Sequence, residues 1–179
     1  MKTHLTRDQR PFAIRRASET DAERIINYSK ILFASTDQVL TTLQEYTISV
    51  ADEKKWINNF NASPNALLLV AELENQMVGL LFFAASAKLK SAHTGEFGVS
   101  VHPKYQRTGI GRALIESLLD WAKDHPQIEK IFLQVFATNS NAIKLYQRMG
   151  FVEEGRHVKA IKQPSSEYVD IIQMYIEMN

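Results

Sequence analysis

Residues 94–123 carry a strand pattern that passes through two closely spaced glycines into a helix pattern, and this passage restricts the fold more than any other feature. TGEFGVSV (Thr94–Val101) alternates as a strand does and is closed by His102-Pro103. QRTGIGR (Gln106–Arg112) follows. From Gly109 to Lys123 the residues Ile110, Leu114, Leu118 and Trp121 share one helical face, widened by Ile115, Leu119 and Ala122, and Pro126 lies past its end. The first N–H groups of such a helix have no internal partner, and the macrodipole adds partial positive charge, so this end suits an anion such as phosphate. Gly109 and Gly111 lack Cβ atoms and let amides approach a diphosphate, and Arg107 and Arg112 add charge beside them. The same seven residues also fit a plain strand-to-helix turn. A Walker A loop is absent. A Rossmann fingerprint fails because Leu114 replaces its third glycine and Gln134, Phe136 and Ala137 replace its acid.

The rest of the chain predicts one α+β domain with a mixed sheet, over residues 11–179 behind a polar tail at 1–10. Phe12–Arg16 reads as a strand. Thr20 with Glu23 fits a capping box before a first helix, and Ser49-Val-Ala-Asp52 starts a second. Residues 34–48 show no clear pattern. Ala66–Glu72 and Val78–Ala87 form an expected hairpin around Glu74-Asn-Gln76. Lys130–Val135 reads as a buried strand, Asn139–Arg148 as a helix with Gly150 at its C-cap, and Phe151–Ile161 and Glu167–Ile176 as terminal strands.

Composition removes several function classes. Over 179 residues, Lys and Arg number 21 against 20 Asp and Glu, so a strongly basic nucleic-acid binder is not expected. The absence of cysteine removes a thiolate metal site, a disulfide scaffold and a cysteine nucleophile. No apolar run approaches the ~20 residues of a membrane span. MKTHLTRDQR lacks the apolar centre of a secretory signal, so the expected location is cytoplasmic.

About thirty residues after the glycine loop comes NSNAIKLYQRMGF (Asn139–Phe151). Alone, its Tyr146 reads as a core or boundary aromatic. The two segments together resemble the GNAT superfamily of N-acetyltransferases. Gln106, Gly109 and Gly111 match the family's [QR]-x-x-G-x-[GA] loop, and Asn139, Ala142, Leu145, Tyr146, Gly150 and Phe151 match its N-x-x-A-x-x-L-Y-x-x-x-G-F helix. Gln134 departs from the Glu that many members carry there.

The resemblance implies a centrally splayed mixed sheet flanked by four helices. The splay falls between Thr94–Val101 and Lys130–Val135, with acetyl-CoA as co-substrate in the wedge. Val99, Ser100 and Val101 would bond the pantetheine through their backbone. Gln106, Arg107, Thr108, Gly109, Ile110, Gly111 and Arg112 would hold the diphosphate, and Asn139 would contact the CoA arm. Glu96, on one strand face with Gly98 and Ser100, is the candidate general base, at the offset before Pro103 that phosphinothricin-type members show. Tyr146 is the candidate general acid toward the thiolate, and the Val101 N–H the oxyanion donor. Without cysteine, direct transfer in a ternary complex is the simpler route. The expected acceptor is a small-molecule amine or a protein N-terminus, with no metal, no nucleic acid, no membrane and a homodimer as the possible assembly. The rival reading is a catalytically silent CoA-binding regulatory module of the same fold, and a phosphate-binding fold unrelated to CoA stands third.

Other residues carry weaker signals. His93 and His102 lack a third ligand and read as solvated strand ends. Trp56 and Phe60 read as packing or as walls of an acceptor pocket, and Glu45, Asp52 and Glu53 as solvated helix charge or an attractor for a cationic amine. Arg156, His157, Lys159 and Lys162 read as surface charge or as an acceptor-carboxylate site.

Overall fold

The computed structural model describes residues 2–178. Among them an eight-stranded sheet is built from β1 (Lys2–Leu5), β2 (Pro11–Arg16), β3 (Ala66–Leu73), β4 (Gln76–Ala85), β5 (Thr94–Val101), β6 (Lys130–Phe136), β7 (Val152–Lys162) and β8 (Tyr168–Glu177). The sheet order is β1-β2-β3-β4-β5-β6-β8-β7, and only β5 and β6 run parallel. Helices α1 (Ala22–Ser35), α2 (Val50–Ala62), α3 (Ile110–Lys123) and α4 (Ser140–Arg148) complete the expected mixed α+β fold.

The expected tail at 1–10 is corrected by β1, which pairs antiparallel with β2. KTHL is short and polar because an edge strand is held by backbone bonds rather than by an apolar stripe. The helix start also shifts. Asp21, not Glu23, turns its carboxylate back to the Ser18 N–H at 2.8 Å. Asp21 is also held by Arg15 at 2.7 Å, while Arg15 and Arg24 grip Glu72 at 2.7 and 2.6 Å, tying the entrance of α1 to β2 and β3. The hairpin turn between β3 and β4 forms as expected, with Glu74 and Asn75 both at positive φ.

β3 is buried on both faces from Ala66 to Ala71, which explains its apolar run ALLLVA. Leu67, Leu69 and Ala71 join Phe83, Phe97, Leu114, Leu118 and Ile131 under α3 and α4. Leu68 and Val70 face the other way, against Ile25, Tyr28 and Ile57 of α1 and α2. The sheet is therefore sandwiched between two helix layers, and even-numbered residues of β5 point toward α1 and α2.

Candidate functional site

The β5–β6 ladder holds for only three pairs, Thr94–Lys130, Gly95–Ile131 and Glu96–Phe132. Beyond Glu96 the strands part. β5 stays paired with β4 as far as Val101, and β6 with β8 as far as Phe136. The sheet thus splays in its middle, where the sequence resemblance expects it.

Which peptide groups face the gap follows from the β4–β5 ladder. Ser86 N–H donates to Thr94 O at 3.0 Å and His102 N–H to Val78 O at 2.9 Å, bracketing an unbroken register. Antiparallel ladders alternate, so Glu96, Gly98 and Ser100 turn their peptide groups to β4. Val99 and Val101 turn theirs into the gap. The expectation for Ser100 is corrected accordingly: its backbone faces β4, and its hydroxyl accepts a hydrogen bond from Tyr28 at 2.9 Å.

At the open end of the wedge lies the glycine loop. Arg107 and Gly109 both have positive φ, 64° and 101°. Among the described residues, no acceptor meets the N–H groups of Arg107, Thr108 and Gly109, and those of Ile110, Gly111 and Arg112 open α3. A Cβ built on Gly109 would meet nothing within 4 Å, so the space beside Gly109 is open. One on Gly111 would come to 3.3 Å from Val101 Cγ2, so glycine there lets the start of α3 lie close on the end of β5. Thr108 is fixed from two sides, its hydroxyl donating to Tyr105 O at 2.6 Å and its carbonyl accepting from Arg7 N–H at 2.9 Å. The loop is thus braced by the segment after β1. Gln106 and Arg107 are exposed, the Ile110 side chain is in the core, and Arg112 pairs with Glu116 at 2.8 Å. Ile110 therefore offers only its N–H.

Glu96 and Tyr146 flank the point where the strands part. Tyr146 is 8% exposed and packs edge-on against Phe97, their ring centroids 6.1 Å apart. Burial pushes its phenol up to about 12, so it stays protonated at neutral pH. Glu96 is accessible, yet its partly desolvated carboxyl is raised above the usual range. Among the described residues no hydrogen bond or ion pair engages it. Asn139 caps α4, its side-chain oxygen accepting from Ala142 N–H at 3.2 Å, which leaves its amide NH₂ to contact a ligand.

Three other sequence readings change or narrow. His102 is not solvated: it is buried, its Nδ1 accepts from Lys104 N–H at 3.2 Å, and burial lowers its pKa. Among the described residues no group of three or more His, Cys, Asp or Glu is arranged to hold a metal ion. Arg156 lies against Glu153 and Asp170, and Lys162 lies over the Tyr168 ring. Glu45 is exposed and accepts from Thr42. Glu53, by contrast, is buried rather than solvated. Its signal was in the sequence, because Glu53 keeps helical spacing with Trp56, Ile57 and Phe60 on the packed stripe of α2.

Residues 35–151 match the acetyltransferase (GNAT) family. An L-amino acid N-acetyltransferase of Escherichia coli K12, AaaT, is 27% identical over 161 residues, covering 90% of this chain and 94% of that protein. A spermidine N(1)-acetyltransferase of Vibrio cholerae is 30% identical over 128 residues, covering 70% of this chain and 72% of that one. The structure of yncA from Salmonella typhimurium, solved with acetyl-CoA, superposes with a TM-score of 0.82 at 20% identity, covering 94% of each chain.

Proposed function

The chain belongs to the acetyltransferase (GNAT) family and is an acetyl-CoA-dependent N-acetyltransferase, and on that premise we propose which of its residues do the work. The observation that carries the proposal is the three-pair ladder between β5 and β6, because it leaves a slot with free peptide groups at its wall and free amides at its mouth. Backbone groups of Val99 and Val101 hold the pantetheine arm. The N–H groups of residues 107–112 hold the diphosphate, with Arg107 adding charge and Asn139 reaching the arm from α4. Ser100 contributes through Tyr28 rather than through its own backbone.

Acetyl-CoA supplies an acetyl thioester and a thiolate leaving group. Glu96 takes the proton from the incoming ammonium. An alkylamine with pKa ~10.4 is only about four parts in ten thousand neutral at pH 7, so this step needs a base. The Val101 N–H donates to the oxygen on which negative charge develops. Glu96 releases that first proton to solvent. As the tetrahedral adduct collapses, its nitrogen gives up a second proton to Glu96 and the C–S bond breaks. Tyr146 gives its proton to the departing sulfur and is reprotonated from solvent. No protein nucleophile is involved, so the amine attacks directly within a ternary complex.

The acceptor is a small-molecule amine or a protein N-terminus. The acetyltransferase unit takes in the whole sheet, β1 included, since the loop after β1 braces the diphosphate site. We place the reaction in the cytoplasm, where acetyl-CoA is available. Among the described residues no helix is long and apolar enough to cross a membrane. β7 ends the sheet with an exposed edge, which is where a second copy would pair.

Tyr146→Phe tests the acid role. It keeps the ring packing and removes the proton, so kcat falls by about tenfold while the KM for acetyl-CoA stays put. The fall is modest because a CoA thiolate leaves readily by itself. Steady-state thiol release reads both constants. A matching rise in acetyl-CoA KM with kcat unchanged would make Tyr146 a binding residue instead.

A further inference from the structure

Glu53 sits 6% exposed on the inner face of α2. Among the described residues no hydrogen bond or ion pair holds its carboxylate, and burial raises its pKa. The carboxylate is partly desolvated and, among the described residues, meets no cation of the chain, so a cation arriving in the adjoining space would gain from pairing with it. It lines a cavity of about 290 Å³ between α1, α2 and β4. Tyr46, Trp56 and Phe82 supply aromatic walls, Ile25 and Leu80 apolar ones, and Asp52 stands at the same cavity. The space equals roughly ten liquid-water volumes, enough for a short aliphatic ammonium. Aromatic faces attract a cation, and a desolvated carboxylate attracts it more strongly.

The cavity shares a sheet face with Glu96. Phe82 pairs with Gly98, and a Cβ there would fall 2.5 Å from the Phe82 ring, so the glycine makes room for this wall. Glu96 stands two residues back on the same face of β5, about 7 Å along the strand from Gly98. Two carboxylates thus stand near one aromatic wall, one at the proposed reaction centre and one in the cavity lining.

We infer that the Glu53 cavity seats a second cationic nitrogen of the acetyl acceptor, so that the acceptor is an aliphatic diamine or polyamine. The inference rests on the reading of Glu96 and the splayed strands as the transfer centre. A monoamine leaves Glu53 unpaired. An α-amino acid brings a carboxylate that Glu53 and Asp52 repel.

The test measures thiol release from acetyl-CoA by the full chain with 1,3-diaminopropane, 1,4-diaminobutane, 1,5-diaminopentane, spermidine, butylamine and neutral amino acids, alongside calorimetric binding of acetyl-CoA. The best diamine or polyamine should exceed butylamine in kcat/KM by about 30-fold or more, the scale of one charge-assisted pair. Glu53→Gln should collapse that preference toward one by raising the diamine KM, and Glu53→Asp should restore part of it. The wild-type comparison needs no variant, so a Glu53→Gln protein that fails to fold leaves the test intact. Butylamine serving as well as any diamine, or a preference that survives Glu53→Gln, would overturn the inference. Turnover of amino acids without turnover of diamines would overturn it alone. Acetyl-CoA binding with no thiol release to any amine would overturn the transfer-centre reading along with it.

Discussion

Replacing Glu96 by Gln is expected to lower kcat/KM for the amine by about 100-fold or more at pH 7, within the ~10²–10⁴ range that a positioned base contributes. The substitution is nearly isosteric, and no described hydrogen bond or ion pair depends on the carboxylate, so stability should hold. The pH dependence carries the sign. A base must be ionised, and desolvation raises the Glu96 pKa, so wild-type activity climbs as pH rises through that raised value. Glu96→Gln has no such limb. Its rate instead tracks the free-amine fraction and approaches wild type only near pH 10, where the substrate has lost its own proton. Parallel pH–rate profiles for the two proteins would remove Glu96 from the mechanism.

The second large effect belongs to Gly109. Its φ of 101° is left-handed, and the space beside it is open. Gly109→Val therefore strains the backbone by ~1–2 kcal/mol while its Cβ meets nothing within 4 Å. The new side chain fills the open space beside Gly109, next to the amides of residues 107–112. Losing one or two charge-assisted hydrogen bonds, each worth ~1.5–3 kcal/mol, raises the acetyl-CoA KM by about 10–100-fold or more. A thermal melt that drops slightly while KM rises steeply separates this from general unfolding. An unchanged KM would mean that the loop is only a turn.

Much of this was legible because the signals are local. The glycine pair opening α3, the Tyr146 helix and the β3–β4 hairpin each declare themselves within about fifteen residues. What was missed depends on contacts distant in sequence. β1 has no apolar stripe and is recognised only through its pairing with β2. The local pattern points to Thr20 and Glu23 at the helix entrance, whereas Asp21 takes the role because Arg15 from β2 holds its carboxylate. Alternation along β5 placed Glu96 and Ser100 on one face correctly, yet pattern alone cannot say which strand each peptide group faces. That needed the β4 register, and it moved the backbone role from Ser100 to its neighbours. Glu53 was readable in principle, since a charge on an otherwise apolar stripe is either partnered or waiting for a partner. Residues 36–49 form neither helix nor strand, consistent with their lack of periodicity.

Calorimetry comparing CoA with pantetheine, in the native chain and in Gly109→Val, tests most directly whether the amides of this loop grip a diphosphate. The two ligands share the thiol arm, and pantetheine lacks the diphosphate and nucleotide. The native chain should bind CoA about 100-fold more tightly than pantetheine, and Gly109→Val should erase most of that difference while leaving pantetheine affinity nearly unchanged. Equal affinities in the native chain, or a CoA advantage that persists in the variant, would contradict the account.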